Sequence, residues 1–165
     1  FMAICIGISQ GSQPIWGFNY GAKKYDRVRQ AYRYSVTACT VIAAIFFFCF
    51  QIFPHQIVGI FGTGSDLYFQ FAERYLKIFM FMTFVNGIQP VSSSFFTSIG
   101  MAKLGIVMSL TRQVIFLLPL IIIFPLFMGI DGVMYAGPIA DAAAFALAIV
   151  FARRELGKMR SAEIV

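Results

Sequence analysis

Residues 34–53 read YSVTACTVIAAIFFFCFQIF, without one charged side chain. A helix needs about 20 predominantly apolar residues to cross a bilayer core, and this stretch meets that length. Three more runs of the same kind follow, at residues 75–99, 104–128 and 133–152. The breaks between them differ in charge. Lys23, Lys24, Arg27, Arg29 and Arg33 precede the first run, Lys103 divides the second from the third, and Arg153, Arg154, Lys158 and Arg160 follow the fourth. The breaks at residues 54–66 and 129–132 carry neither lysine nor arginine. A chain that crosses back and forth puts alternate loops on one side, and the basic loops are as a rule cytoplasmic. The pattern predicts an all-α polytopic transmembrane bundle with full spans at 34–53, 75–99, 104–128 and 133–152, a partial span at 1–20, and a cytoplasmic C-terminus.

Composition supports the same class. The chain is 59% hydrophobic and 12% charged with 20 phenylalanines, where ordinary globular proteins carry roughly 25% charged residues. The net charge of +6 lies beside apolar helix ends, so it marks orientation and not a nucleic-acid surface. Cys5, Cys39 and Cys49 sit in apolar stretches with no CxxC spacing and no nearby histidine. They read as small buried hydrophobes, with neither disulfide nor metal implied. His55, the single histidine, falls in the break after Phe53. No HExxH, GxSxG, GxxxxGK[ST] or paired-carboxylate pattern occurs, so neither an enzyme nor a bound cofactor is expected. Phe1 opens inside an apolar stretch, as expected for a portion of a longer protein.

Polar residues inside the apolar runs are the candidates for function, because facing them to lipid is costly. Ser9, Gln10, Ser12, Gln13 and Asn19 surround Pro14 in the first segment. Asn86, Gln89, Ser93 and Thr97 recur at steps of three, four and four on one helical face, and the first three are predicted to look into the lobe interior or a central cavity. Pro90 stands in that stripe as a predicted kink. As one helix, residues 66–100 would measure ~52 Å against a core of ~30 Å, so Glu73, Arg74 and Lys77 are placed at the outer surface. Residues 21–33 read as a separate basic interfacial helix, and residues 54–66, with Gly59, Gly62, Thr63, Gly64 and Ser65, as an outer loop.

Arg112 and Asp141 are the charges deepest in predicted spans. Counted from the cytoplasmic ends, they lie at depths of roughly 14 and 18 Å on antiparallel neighbours, which predicts a polar contact. Two readings stay open: a static buried pair that sets helix register, or a polar element of a transport path.

Gly7-Ile8-Ser9-Gln10-Gly11-Ser12-Gln13-Pro14, Gly17-Phe18-Asn19-Tyr20-Gly21-Ala22 and Arg27-Val28 form one motif. Arg112-Gln113, Leu117-Leu118-Pro119-Leu120, Gly132-Val133 and Gly137-Pro138-Ile139-Ala140-Asp141 follow in order. Together they resemble the multidrug and toxic compound extrusion (MATE) family over nearly the whole chain. The resemblance implies a fold of twelve spans in two lobes around a central cavity, with this chain matching the eighth through twelfth. It further implies export of small, often cationic, organic drugs coupled to inward proton or sodium movement, and an N-terminal lobe as partner. Gln10, Gln13, Asn86, Gln89, Ser93, Arg112 and Asp141 are the candidate residues of the substrate pathway. The alternatives are a lipid-linked-precursor flippase of the same superfamily, which would show a more cationic cavity, and a non-transporting membrane scaffold, which would need no inward polar faces.

Overall fold

The computed structural model of the chain describes residues 1–61 and 64–162. Gly62 and Thr63, from the expected outer loop, lie outside the described residues. Every regular element among the described residues is helical: α1 (Met2–Gly21), α2 (Tyr25–Ile52), α3 (Pro54–Phe61), α4 (Asp66–Phe79), α5 (Ile88–Ser98), α6 (Ala102–Leu110), α7 (Leu118–Met128) and α8 (Ile130–Ala162). Among the described residues, three helical stretches are long and apolar enough to cross a membrane: Tyr25–Ile52, Ala102–Met128 and Ile130–Ser161.

α2 absorbs most of the basic segment that the sequence assigned to a separate interfacial helix. No glycine or proline interrupts residues 25–52, and Asp26 in the first turn pairs with Arg29. Its buried positions Val28, Tyr32, Ser35, Cys39 and Ala43 recur at steps of three or four, and Val41, Ile45, Phe48 and Ile52 line the opposite, exposed face. One stripe packs on protein while the other is apolar and uncovered, as a membrane helix requires.

The 75–99 run is not one helix. α4 stops at Phe79, a 3₁₀ turn occupies Thr83–Val85, and α5 begins at Ile88. The interruption precedes Pro90, which stands in the first turn of α5, where its missing N–H leaves no helical bond unmade. Gly87 explains the site of the break. A Cβ there would lie 2.8 Å from the Cys39 carbonyl oxygen, so α5 starts against the backbone of α2.

The third run bends differently. Between α6 and α7 the helix widens to a π-helical turn over Thr111–Leu117, and Leu118 N–H bonds to the Gln113 carbonyl. Pro119 follows directly and cannot donate to the carbonyl four residues back, so a wider local register accommodates it. The α5–α6 turn closes as a Schellman motif. Met101 N–H bonds to the Phe96 carbonyl at 2.9 Å, Gly100 N–H to Thr97 at 3.2 Å, and Gly100 takes a positive φ of 86°.

α8 buries Ala140, Ala144, Ala148 and Ala152 at every fourth position. Such small side chains let neighbouring helices approach closely. At the bundle centre Trp16 (α1), Tyr32 (α2) and Phe95 (α5) form mutual ring contacts, with centroids 4.8–6.2 Å apart. The Tyr32 hydroxyl shares a 2.9 Å hydrogen bond with Ser92, so the aromatic core carries no stranded phenol. α5 touches α1, α2, α6 and α8, and is the element through which the polar groups of the last helices are assembled.

Candidate functional site

Asp141 is the hub. It sits one turn beyond Pro138 in α8 and is 4% exposed. One carboxylate oxygen accepts from Arg112 Nε and the other from Asn86 Nδ2 at 2.7 Å. Asn86, 7% exposed, comes from the interruption ahead of α5, and Arg112 comes from the π-helical turn. Two irregular segments and one proline-containing helix thus each deliver one polar group to the same point. The carboxylate has both oxygens bonded and a guanidinium as counter-ion, the arrangement that makes a buried charge tolerable.

The rest of the polar stripe turns toward α6. Gln89 Nε2 donates to the Met108 carbonyl at 2.9 Å, and the Ser93 hydroxyl donates to the Gly105 carbonyl at 2.8 Å. Gly105 is required at this crossing, since a Cβ would meet Thr97 Oγ1 and stand 2.9 Å from the Ser93 carbonyl oxygen. Thr97 donates back to the Ser93 carbonyl within α5.

A cavity of about 260 Å³ opens beside this cluster. Gln89, Ser93, Ser94, Ser109, Arg112 and Gln113 supply its polar wall, and Met2, Ile6 and Pro90 its apolar one. Of the seven candidates from the sequence, Gln89, Ser93 and Arg112 line it, while Asn86 and Asp141 stand behind Arg112. Gln10 and Gln13 belong to α1, Gln10 exposed and Gln13 half-buried, and are outside this cavity. Ser94, Ser109 and Gln113 were not among the seven candidates, although Gln113 stands in a quoted motif. Ser109 and Gln113, spaced four apart around Arg112, carried a helical-face signal that would have found them.

The MatE family model matches residues 1–130. The chain belongs to the MATE family. Members of this family are transporters and not enzymes. The chain is 23% identical over 98% of its length to the multidrug export protein MepA of Staphylococcus aureus (strain bovine RF122 / ET3-1), covering 36% of that protein. It also resembles the structure of the MATE multidrug transporter DinF-BH in complex with rhodamine 6G, at 36% identity and a TM-score of 0.85, with 91% of this chain and 33% of that one covered. An inward-facing multidrug resistance MATE family transporter of the MOP superfamily shares the fold at a TM-score of 0.85 and 15% identity, over 95% of this chain and 37% of that one. The chain thus spans about a third of the length of these relatives.

In this MATE chain the motif residues acquire structural meaning. Gly17 of the first motif lies against α5, where a Cβ would come 3.1 Å from the Ser98 carbonyl oxygen. Gly132 and Gly137 of the later motif abut α7 and the Phe79 ring, and a Cβ on either would come within 2.6 Å of that neighbour. These three motif glycines are contact positions between helices, and Arg112 and Asp141 of the later motifs meet in the buried charge pair.

Proposed function

We propose that this chain forms part of a cation-coupled multidrug exporter in the cytoplasmic membrane, its C-terminus cytoplasmic, working with an N-terminal lobe. The observation that carries the reading is a cavity with a polar wall beside a buried charge network, in a chain of a family of transporters. Gln89, Ser93 and Arg112 line the substrate path, Asn86 and Asp141 hold Arg112 in position, and Gln10 and Gln13 line the path on the face of α1 turned to the other lobe. The relatives named for multidrug export and for a complex with rhodamine 6G support small organic drugs as substrates. The coupling ion is a proton or sodium, admitted in exchange for the drug.

Physically, a binding surface of amide and hydroxyl groups with Met2 and Ile6 beside them suits substrates of varied shape. The one cation on the wall is already paired with Asp141, so the surface carries little net charge to attract pyrophosphate. This disfavours the flippase alternative. The test is rhodamine 6G efflux from proteoliposomes holding the protein made from its complete gene. Gln89→Ala and Ser93→Ala, which leave the Arg112–Asp141 pair intact, are expected to cut efflux severalfold at normal protein levels. Unchanged efflux and drug affinity in both variants would remove this cavity from the path.

A further inference from the structure

A second cavity, of about 350 Å³, shares no lining residue with the one above. Gln51 at the end of α2, Lys77, Ile78 and Phe81 from and just after α4, and Tyr135 and Pro138 in the first turns of α8 line it. α2 and α8 carry their basic residues at the opposite ends, so this cavity is far from the basic loops. The wall is apolar except for three groups. The Gln51 amide is occupied, donating to the Lys77 carbonyl at 3.0 Å. Among the described residues, neither the Lys77 ammonium nor the Tyr135 hydroxyl has a hydrogen-bond or ion-pair partner. The nearby carboxylate Glu73 is engaged by His55 at 2.6 Å. Phe81 in the lining is half exposed, and Ile52 and Ile139, each next in sequence to a lining residue, are exposed hydrocarbon too.

A cation and a phenol over an apolar floor, at the end of membrane-length helices, match an amphiphile with an anionic head. Lysine reaches toward such a boundary while its stem lies on apolar surface, and tyrosine concentrates at the same depth. We propose that this cavity binds one phospholipid, its phosphodiester held by the Lys77 ammonium and the Tyr135 hydroxyl and an acyl chain laid along Ile78, Phe81 and Pro138. The site clamps the ends of α2, α4 and α8 together from the lipid side.

The experiment uses the protein made from its complete gene, in nanodiscs of phosphatidylcholine doped with a photoactivatable phosphatidylglycerol. Crosslinks are mapped by mass spectrometry. Label is expected on peptides holding residues 77–81 and 135–139. Lys77→Gln should lower it about fivefold, the effect of removing one basic group at an anionic surface. Lys77→Arg should retain it, and Lys23→Gln, at the opposite end, should leave it unchanged. Tyr135→Phe serves as the second variant if Lys77→Gln fails to fold, and should lower the label too. Label absent from these peptides, or equal in Lys77→Gln and the parent, overturns the proposal. So does protection by inorganic phosphate as effective as that by unlabelled phosphatidylglycerol, since the site would then take the free anion.

Discussion

α2 and the broken α4–α5 segment are neighbours of similar apolar character, yet one is regular over 28 residues and the other stops, turns and restarts. α2 carries no charge from Tyr34 to Ile52 and packs through Ser35, Cys39 and Ala43. The interruption between α4 and α5 buries Thr83 and Asn86, and the π-helical turn opposite delivers Arg112. Irregular backbone in a membrane is tolerated only where protein supplies the hydrogen bonds that lipid cannot. The contrast teaches that the polar cluster and the irregular backbone are one feature. Breaking helical register aims Asn86 and Arg112 at Asp141, while short backbone bonds such as Thr83 N–H to the Met80 carbonyl and Asn86 N–H to the Thr83 carbonyl satisfy groups that the break would otherwise leave open.

The largest effect should come from splitting the charge pair. Asp141→Leu strands Arg112 without its counter-ion, and breaking one partner of a buried pair costs about 3–5 kcal/mol. Folded protein recovered from the membrane should fall steeply, as fluorescence-detected size exclusion would read. Adding Arg112→Met removes the stranded charge and should restore folded protein while leaving efflux lost. Recovery of efflux in the double variant would reduce the cluster to a structural device. A next, smaller effect tests the break itself. Gly87→Val drives a side chain into the Cys39 carbonyl, which is backbone and cannot swing aside. The thermal midpoint should drop by an amount equivalent to about 1–3 kcal/mol; an unchanged midpoint would mean that α5 does not need this close approach.

The helical runs were legible because hydropathy is averaged over many residues, and a single polar position scarcely changes the sum. The Arg112–Asp141 contact was legible because helical rise is fixed, so counting residues gives depth without knowledge of rotation. The partner of Asn86 was not. The sequence put Asn86 on one stripe with Gln89 and Ser93, but Asn86 lies within the interruption while the other two lie in α5. Asn86 therefore turns to α8, and the other two turn to α6. Pro90 announces a disturbance, but not one that begins as early as Met80, since Phe79, Met80, Phe81 and Met82 suit a continuous helix. The break coincides with a tertiary contact, the approach of Gly87 to Cys39, almost fifty positions back in the chain. The π-helical turn was hidden for the same reason, because Pro119 predicts strain but not which register relieves it.

The smallest expected effect sharpens the comparison from within α2. Ile45 is 57% exposed on the face turned away from the other helices, whereas Ala43, on the packed face, is fully buried. If the exposed face meets only hydrocarbon, Ile45→Leu exchanges one apolar surface for another of equal size, and lipid tails are as apolar as leucine. The midpoint should then move by less than about 0.5 kcal/mol equivalent, as for a substitution away from any packing contact. Ala43→Leu adds volume where no space exists and should cost about 1–3 kcal/mol. A large loss for Ile45→Leu would show that this face is covered by protein, which would extend the packed surface of α2 beyond the bundle seen here. Equal and negligible shifts for both would instead mean that α2 packs loosely, and the regular helix would no longer be the rigid member of the pair.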